Sequence, residues 1–403
     1  MFPTPSALVA TPQLSSGSFP PHCPLSRTLI FFHRIHGGSF TSGSASDPAI
    51  NGANLAAATQ SIVAVVQYRL GGVRSSVIAL VPLLTPSQLG FMAPNGETNL
   101  AVKDVINALN VLKAGVPMIG GSSSKITIAG QSSGATMVRA LLAIPSASSL
   151  FRSAILQSDP MVIFSRVFLV ITTSLIPFLQ DYGFLSAGTQ QTMQSFFNQQ
   201  FSCNPSTASC TASLSVNDIV SASNTLYSQA IFLDQAAGQG EPMRPLRDGQ
   251  LISNTLTTST PFPQVSKPIL VTTVANEAGP SIYGWYGSPM SESDYLQFVN
   301  WSLGTSRAST VLGSQRYTVQ TLGGVSDARP SLEKMGTDYL WKCSSWTFSR
   351  TWASKGGPAY VGMYVLGATY PTNGGIPFCT SNGAVCHQDD IQIVVSLGLR
   401  PDI

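Results

Sequence analysis

Gly130-Gln131-Ser132-Ser133-Gly134 is a G-x-S-x-G motif between an apolar, β-branched run at 125–129 and a helical pattern that begins at Ala135. A serine on so tight a strand-to-helix turn is held in a strained conformation with its hydroxyl presented. The flanking glycines lack a Cβ, which lets strand and helix approach closely. The helix N-terminus behind the serine favours negative charge. Ser132 in this setting is a candidate nucleophile for attack on a carbonyl carbon.

Such an attack needs donors for the oxyanion and a base for the serine proton. Ile35-His36-Gly37-Gly38-Ser39-Phe40, just after an apolar run at 29–32, reads as a loop whose backbone N–H groups point at a developing alkoxide. The chain has four histidines: His22, His33, His36 and His387. The first two lie in or near an irregular N-terminal segment, and His36 belongs to the Gly-Gly loop. Elimination leaves His387, the one histidine after Ser132, as general base.

The acid that orients this base should follow a strand between the two. Asp234, Glu241, Asp248, Glu277, Glu292, Asp294, Asp327, Glu333 and Asp338 are the candidates. Glu277 fits best, because 268–274 reads as a buried strand ending just before it; Asp338 comes second.

The elements that must carry these groups alternate. Strand patterns occur at 29–32, 62–68, 125–129, 153–157, 268–275 and 359–365, with helical spacing at 99–112 and 135–144. Near-continuous apolar strands interleaved with helices imply a doubly wound α/β fold with a mostly parallel sheet, covered on both faces. Residues 1–28 read as irregular and 29–403 as one domain. Two apolar stretches, 73–88 and 162–180, fit poorly; the second approaches membrane-span length, but Arg166 and Pro177 inside it argue against a span.

Charged residues are 10% of the 403, against about 25% in a typical protein. With a net charge of +3 and no basic run, nucleic acid is not an expected partner. None of the six cysteines sits in a CxxC pair, which excludes a zinc ribbon. Cys203/Cys210 and Cys379/Cys386 read as short disulfide loops, implying an oxidising compartment. The sequence offers no partner for Cys23 or Cys343. Asn300-Trp301-Ser302 is an N-glycosylation sequon. No signal peptide is visible at the start of the chain.

The ordered motifs resemble the type-B carboxylesterase/lipase family, the cholinesterase-like α/β-hydrolases, and its fungal members most closely. They are IHGGSF (35–40), VVQYRLG (65–71), NLAVKD (99–104), ITIAGQSSGA (126–135), LFRSAILQS (150–158), RPLRDG (244–249), ANEAG (275–279) and CHQDDI (386–391). The family usually has Glu-Ser-Ala where this chain has Gln131-Ser132-Ser133. The resemblance implies a Ser132–Glu277–His387 triad and oxyanion N–H donors at Gly38, Ser39 and Ser133. It implies hydrolysis of a small lipophilic ester without a cofactor or metal, and it implies secretion. The Cys203/Cys210 pair matches a disulfide loop of fungal members. Against the family pattern, 73–88 and 162–180 read as insertions and both ends as truncated. A catalytically inactive binding protein and a non-functional truncated gene product are the competing expectations.

Overall fold

Apolar runs too short for helices, closed by turn residues, become the strands of one sheet. A computed structural model describes residues 7–10, 29–71, 90–93, 95–161, 183–205, 207–238, 241–256, 262–322, 325–381 and 383–395. The apolar stretches at 73–88 and 162–180 lie outside the described residues. The strands are β1 (Ala7–Ala10), β2 (Leu29–Ile35), β3 (Ser61–Val66), β4 (Gly121–Gln131), β5 (Ser153–Gln157), β6 (Ile269–Val274), the hairpin pair β7 (Gln320–Leu322) and β8 (Val325–Asp327), and β9 (Ala359–Tyr364). The main sheet runs β1-β3-β2-β4-β5-β6-β9, and only β1 is antiparallel to its neighbour.

Six of the seven sheet strands coincide with the runs read from sequence. Two details need correction. The segment expected to be irregular contributes β1, four small or apolar residues that pair with β3. β9 is apolar enough for a covered strand, yet it forms the sheet edge, with Tyr360, Val361 and Met363 exposed.

The helices are α1 (Ala53–Thr59), α2 (Leu100–Gly115), α3 (Ser133–Leu142), α4 (Ala187–Asn198), α5 (Ala208–Ser213), α6 (Val216–Leu233), α7 (Gly279–Trp285), α8 (Glu292–Leu303), α9 (Thr305–Leu312), α10 (Arg329–Gly336), α11 (Cys343–Ser354), α12 (Pro377–Thr380) and α13 (Ile391–Val395). α2 buries Leu100, Ala101, Val105, Ala108, Leu109 and Leu112, which follow helical spacing. α3, carrying Met137, Val138 and Leu141, is buried along nearly its whole length. Both join the main core with Ile126 and Ile128 of β4 and Leu156 of β5.

Three of the sequence motifs meet behind the sheet. Arg69 of VVQYRLG grips Asp104 of NLAVKD with two hydrogen bonds, 2.7 Å from Nε and 2.6 Å from Nη2. Asn99 of the same motif accepts from the Leu246 N–H at 2.8 Å and donates to the Leu246 carbonyl at 2.8 Å, in RPLRDG. Through Asn99, a side chain completes backbone hydrogen bonds of a segment 147 residues away in sequence. A second apolar cluster, built from α7, α8, α10 and the turn after α10, buries Ile282, Tyr295, Val299, Leu332 and Trp341.

Candidate active site

The elbow forms as its residue types demand. β4 ends at Gln131, Ser132 caps α3, and Ser132 has φ 58° and ψ −129°. This left-handed, non-glycine conformation costs of order 1–3 kcal/mol and persists only where surroundings enforce it. Here the Ser132 N–H donates to the Gln157 carbonyl at 2.9 Å, and its own carbonyl accepts from Ala135 and Thr136. A Cβ at Gly134 would collide with the Ile35 and His36 carbonyls, so only glycine lets α3 start this close to β2.

His387 sits in a loop pinned on several sides. The Cys379–Cys386 disulfide closes immediately before it. Asn373 donates to the His387 carbonyl at 2.8 Å and to Asp389 at 2.9 Å, and Asp389 in turn accepts from the Cys386 and Tyr370 N–H groups, each at 2.7 Å. The Glu277 loop is laced to it: the Asn276 N–H donates to the Val385 carbonyl at 2.8 Å, and the Val385 N–H to the Asn276 side chain at 3.1 Å.

This lacing brings Glu277 Oε2 to 2.6 Å from His387 Nδ1. The other Glu277 oxygen accepts from the Val274 N–H at 2.9 Å, and the carboxylate is 1% exposed. The imidazole also packs on Trp341, ring centres 5.6 Å apart, and the Trp341 indole N–H donates to the Ser158 carbonyl at 3.1 Å. Burial pulls the His387 pKa down, but the hydrogen bond and charge of Glu277, with Asp390 and Glu241 beyond, outweigh it and leave it above 6.5. Asp338, the second choice from sequence, is not on the histidine; it accepts from Arg316 at 2.7 Å and from the Tyr317 hydroxyl at 3.1 Å.

The Gly-Gly loop turns beside the elbow. Gly38 has φ 115° and Ser39 φ 51°, and the Gly38 carbonyl accepts from the Thr41 and Ser42 N–H groups at 3.0 Å each. Among the described residues, the N–H groups of Gly38, Ser39 and Ser133 have no backbone acceptor. His36 supports the loop from behind: its ring stacks on Tyr68 at 4.5 Å, and the Tyr68 hydroxyl donates to its carbonyl at 2.9 Å. Burial lowers the His36 pKa to about 4, so the ring is neutral at physiological pH and is a packed support, not a second base.

Several contacts around the site escaped sequence reasoning, although Glu241 itself is among the acid candidates. Gln131 places its amide nitrogen 3.2 Å from His387 Nε2. Gln157 donates to Asp390 at 2.7 Å, and burial raises the Asp390 pKa, aided by the Glu277 charge. Burial likewise raises Glu241 to about 7, against the pull of Arg244. Each lies in or beside a recognised motif, but a sequence does not say which motif side chains turn toward one another.

Both proposed disulfides are formed, Cys203–Cys210 and Cys379–Cys386. Cys343 is an exposed free thiol, and Cys23 lies outside the described residues. The Asn300 sequon falls inside α8 with Ser302 buried, a poor acceptor geometry compared with a surface loop. Among the described residues, no helix is long and apolar enough to cross a membrane, and no group of His, Cys, Asp and Glu could hold a metal ion.

Known proteins resemble this chain in sequence and fold. The chain is 26% identical over 364 residues to the Crystal protein of Dictyostelium discoideum, covering 89% of this chain and 58% of that protein. It is 32% identical over 145 residues to the para-nitrobenzyl esterase of Bacillus subtilis (35% of this chain, 26% of that protein). It is 27% identical over 227 residues to human carboxylesterase 5A (56% of this chain, 34% of that protein). The chain thus spans less than two thirds of each relative. A solved PNB esterase structure superposes with a TM-score of 0.67 at 19% identity, covering 99% of this chain and 72% of the other, which shows the shared α/β-hydrolase fold. The model of the Carboxylesterase family matches residues 26–402, and the chain belongs to that family.

Proposed function

We propose that the protein hydrolyses carboxylic esters through an acyl-enzyme, with Ser132 as nucleophile, His387 as general base and acid, and Glu277 as the group that orients His387. The observation that carries this reading is the Glu277–His387 contact of 2.6 Å, made by a carboxylate that is itself anchored to the backbone of β6. It favours the Nδ1–H tautomer, which leaves Nε2 unprotonated and able to take up a proton.

In the reaction, Ser132 Oγ bonds to the ester carbonyl carbon while its proton passes to His387 Nε2. The carbonyl oxygen becomes an oxyanion held by the N–H groups of Gly38, Ser39 and Ser133. Collapse breaks the ester C–O bond, and His387 returns the proton to the departing alcohol. Water then repeats the sequence on the acyl-enzyme, releasing the acid and restoring Ser132. We read the substrate as a small lipophilic ester, the protein as secreted and its nearest kin as fungal. The two disulfides favour secretion, and the Cys203–Cys210 loop favours the fungal kinship.

Hydrolysis of a nitrophenyl ester by the purified chain is the test. Activity is expected to rise with pH through a midpoint above 6.5, because only the neutral ring is a base and Glu277 holds its pKa up. Ser132→Ala is expected to abolish turnover. Turnover retained in Ser132→Ala would exclude this mechanism.

A further inference from the structure

The neutral His387 ring carries one proton, and Glu277 holds it on Nδ1 at 2.6 Å. Nε2 is then a bare lone pair. The group that meets this lone pair is the Gln131 amide, whose nitrogen lies 3.2 Å away. Of those two nitrogens only the amide has a proton to give, so Gln131 donates and His387 accepts. Among the described residues no hydrogen bond joins Ser132 Oγ to His387. The other end of the same amide is unsatisfied: Gln131 Oε1 is buried without a partner, and the residue is 2% exposed. That oxygen faces the Gly-Gly loop, where a Cβ on Gly37 would come within 3.0 Å of it. A buried carbonyl oxygen without a donor is unfavourable and is able to take one that arrives at another stage.

We propose that Gln131 is a two-ended partner of the catalytic base: its N–H occupies the His387 lone pair in the resting protein, and its Oε1 accepts from the imidazolium once Ser132 has given up its proton. A half-turn of the terminal amide exchanges the two ends, a motion that costs little about an sp³–sp² bond. The proton count closes. Ser132 Oγ–H is lost to Nε2 as the Gln131 N–H···N bond breaks, Nε2–H then donates to Oε1, and the amide turns back after the proton leaves with the alcohol. A carboxylate at this position, usual in the family, offers acceptors only and would raise the ring's pKa instead. The charged groups facing the ring are Glu277, Asp390 and Glu241, so Gln131 is the neutral member of an otherwise acidic surround. The catalytic half of this inference rests on the esterase reading; the resting contact does not.

Nitrogen-15 NMR of the histidine-labelled full chain, titrated with pH, reads His387 directly, and the acid limb of ester hydrolysis reads it in turnover. The two ends pull the midpoint in opposite senses, since the N–H favours the neutral ring and Oε1 favours the imidazolium, so the nitrogen shifts of each form separate them. In Gln131→Met, Nε2 of the neutral ring should move downfield and Nε2–H of the imidazolium upfield relative to the parent. In Gln131→Glu, which offers acceptors only, the midpoint should rise at least about one pH unit above the parent, and the hydrolysis limb with it. An unchanged neutral-ring Nε2 shift in Gln131→Met overturns the resting N–H contact, an unchanged imidazolium shift overturns the Oε1 contact, and an unchanged midpoint in Gln131→Glu overturns both. Neutral-ring shifts as expected with no hydrolysis by the parent uphold the resting contact and sink the esterase reading.

Discussion

β4 and β9 are parallel strands of one sheet with similarly apolar sequences, and they live in opposite surroundings. β4 enters the elbow with Ile128, Gly130 and Gln131 buried, flanked by β2 and β5 and covered by α3. Among the described residues β9 has β6 on one side only, and it leaves Tyr360 63% and Met363 52% exposed, followed by Val365 and Leu366, exposed as well. An apolar run states what a strand is able to bury, and its neighbours decide whether it does. The half of the molecule around β4 encloses its polar groups tightly enough to hold a strained serine. The face at β9 is held at the register of β6 and contributes little packing of its own.

That contrast can be broken first at Asp159. It lies at the end of the β5 motif, fully buried, 2.8 Å from Arg139 Nε and 2.7 Å from the Thr136 hydroxyl on α3. Removing one partner of a buried pair strands the other charge, so Asp159→Ala should lower stability by about 3–5 kcal/mol in a urea titration. A loss under about 1 kcal/mol would mean that the elbow is not enclosed as described.

The His387 loop should respond less. Replacing both Cys379 and Cys386 with serine frees a loop of sequence separation 7 and should cost roughly 2 kcal/mol. Ester turnover should fall further than stability, because the proposed base, His387, is the next residue; unchanged turnover would show that the Asp389 and Asn276 hydrogen bonds suffice. The smallest effect belongs to β9. Met363→Gln should shift stability by no more than about 0.5 kcal/mol. A larger loss would show that this face is packed against something.

The comparison also explains what the sequence disclosed. Strands with continuous apolar runs, and helices α2 and α3 with apolar residues at helical spacing, were readable because burial on the β4 side is nearly complete. The Glu277–His387 contact was readable because Glu277 follows a clear strand and histidine is scarce in this chain. The region from α4 to α9 was not, since its helices carry polar residues between few buried ones, as in α4 with Thr189, Gln190, Met193 and Phe197. The edge position of β9 was hidden too, because strand order follows from tertiary pairing. The Gln131–His387 contact depends on a loop that returns 256 residues later, and no local pattern records it.

The most direct test of the account is covalent. The full chain, treated with a fluorophosphonate and digested, is expected to carry one phosphonyl group on the Ser132 peptide. Labelling should slow as pH falls through the His387 midpoint and should be lost in Ser132→Ala and in His387→Ala. An unmodified Ser132 peptide from folded protein, or a label that survives in Ser132→Ala, would contradict it.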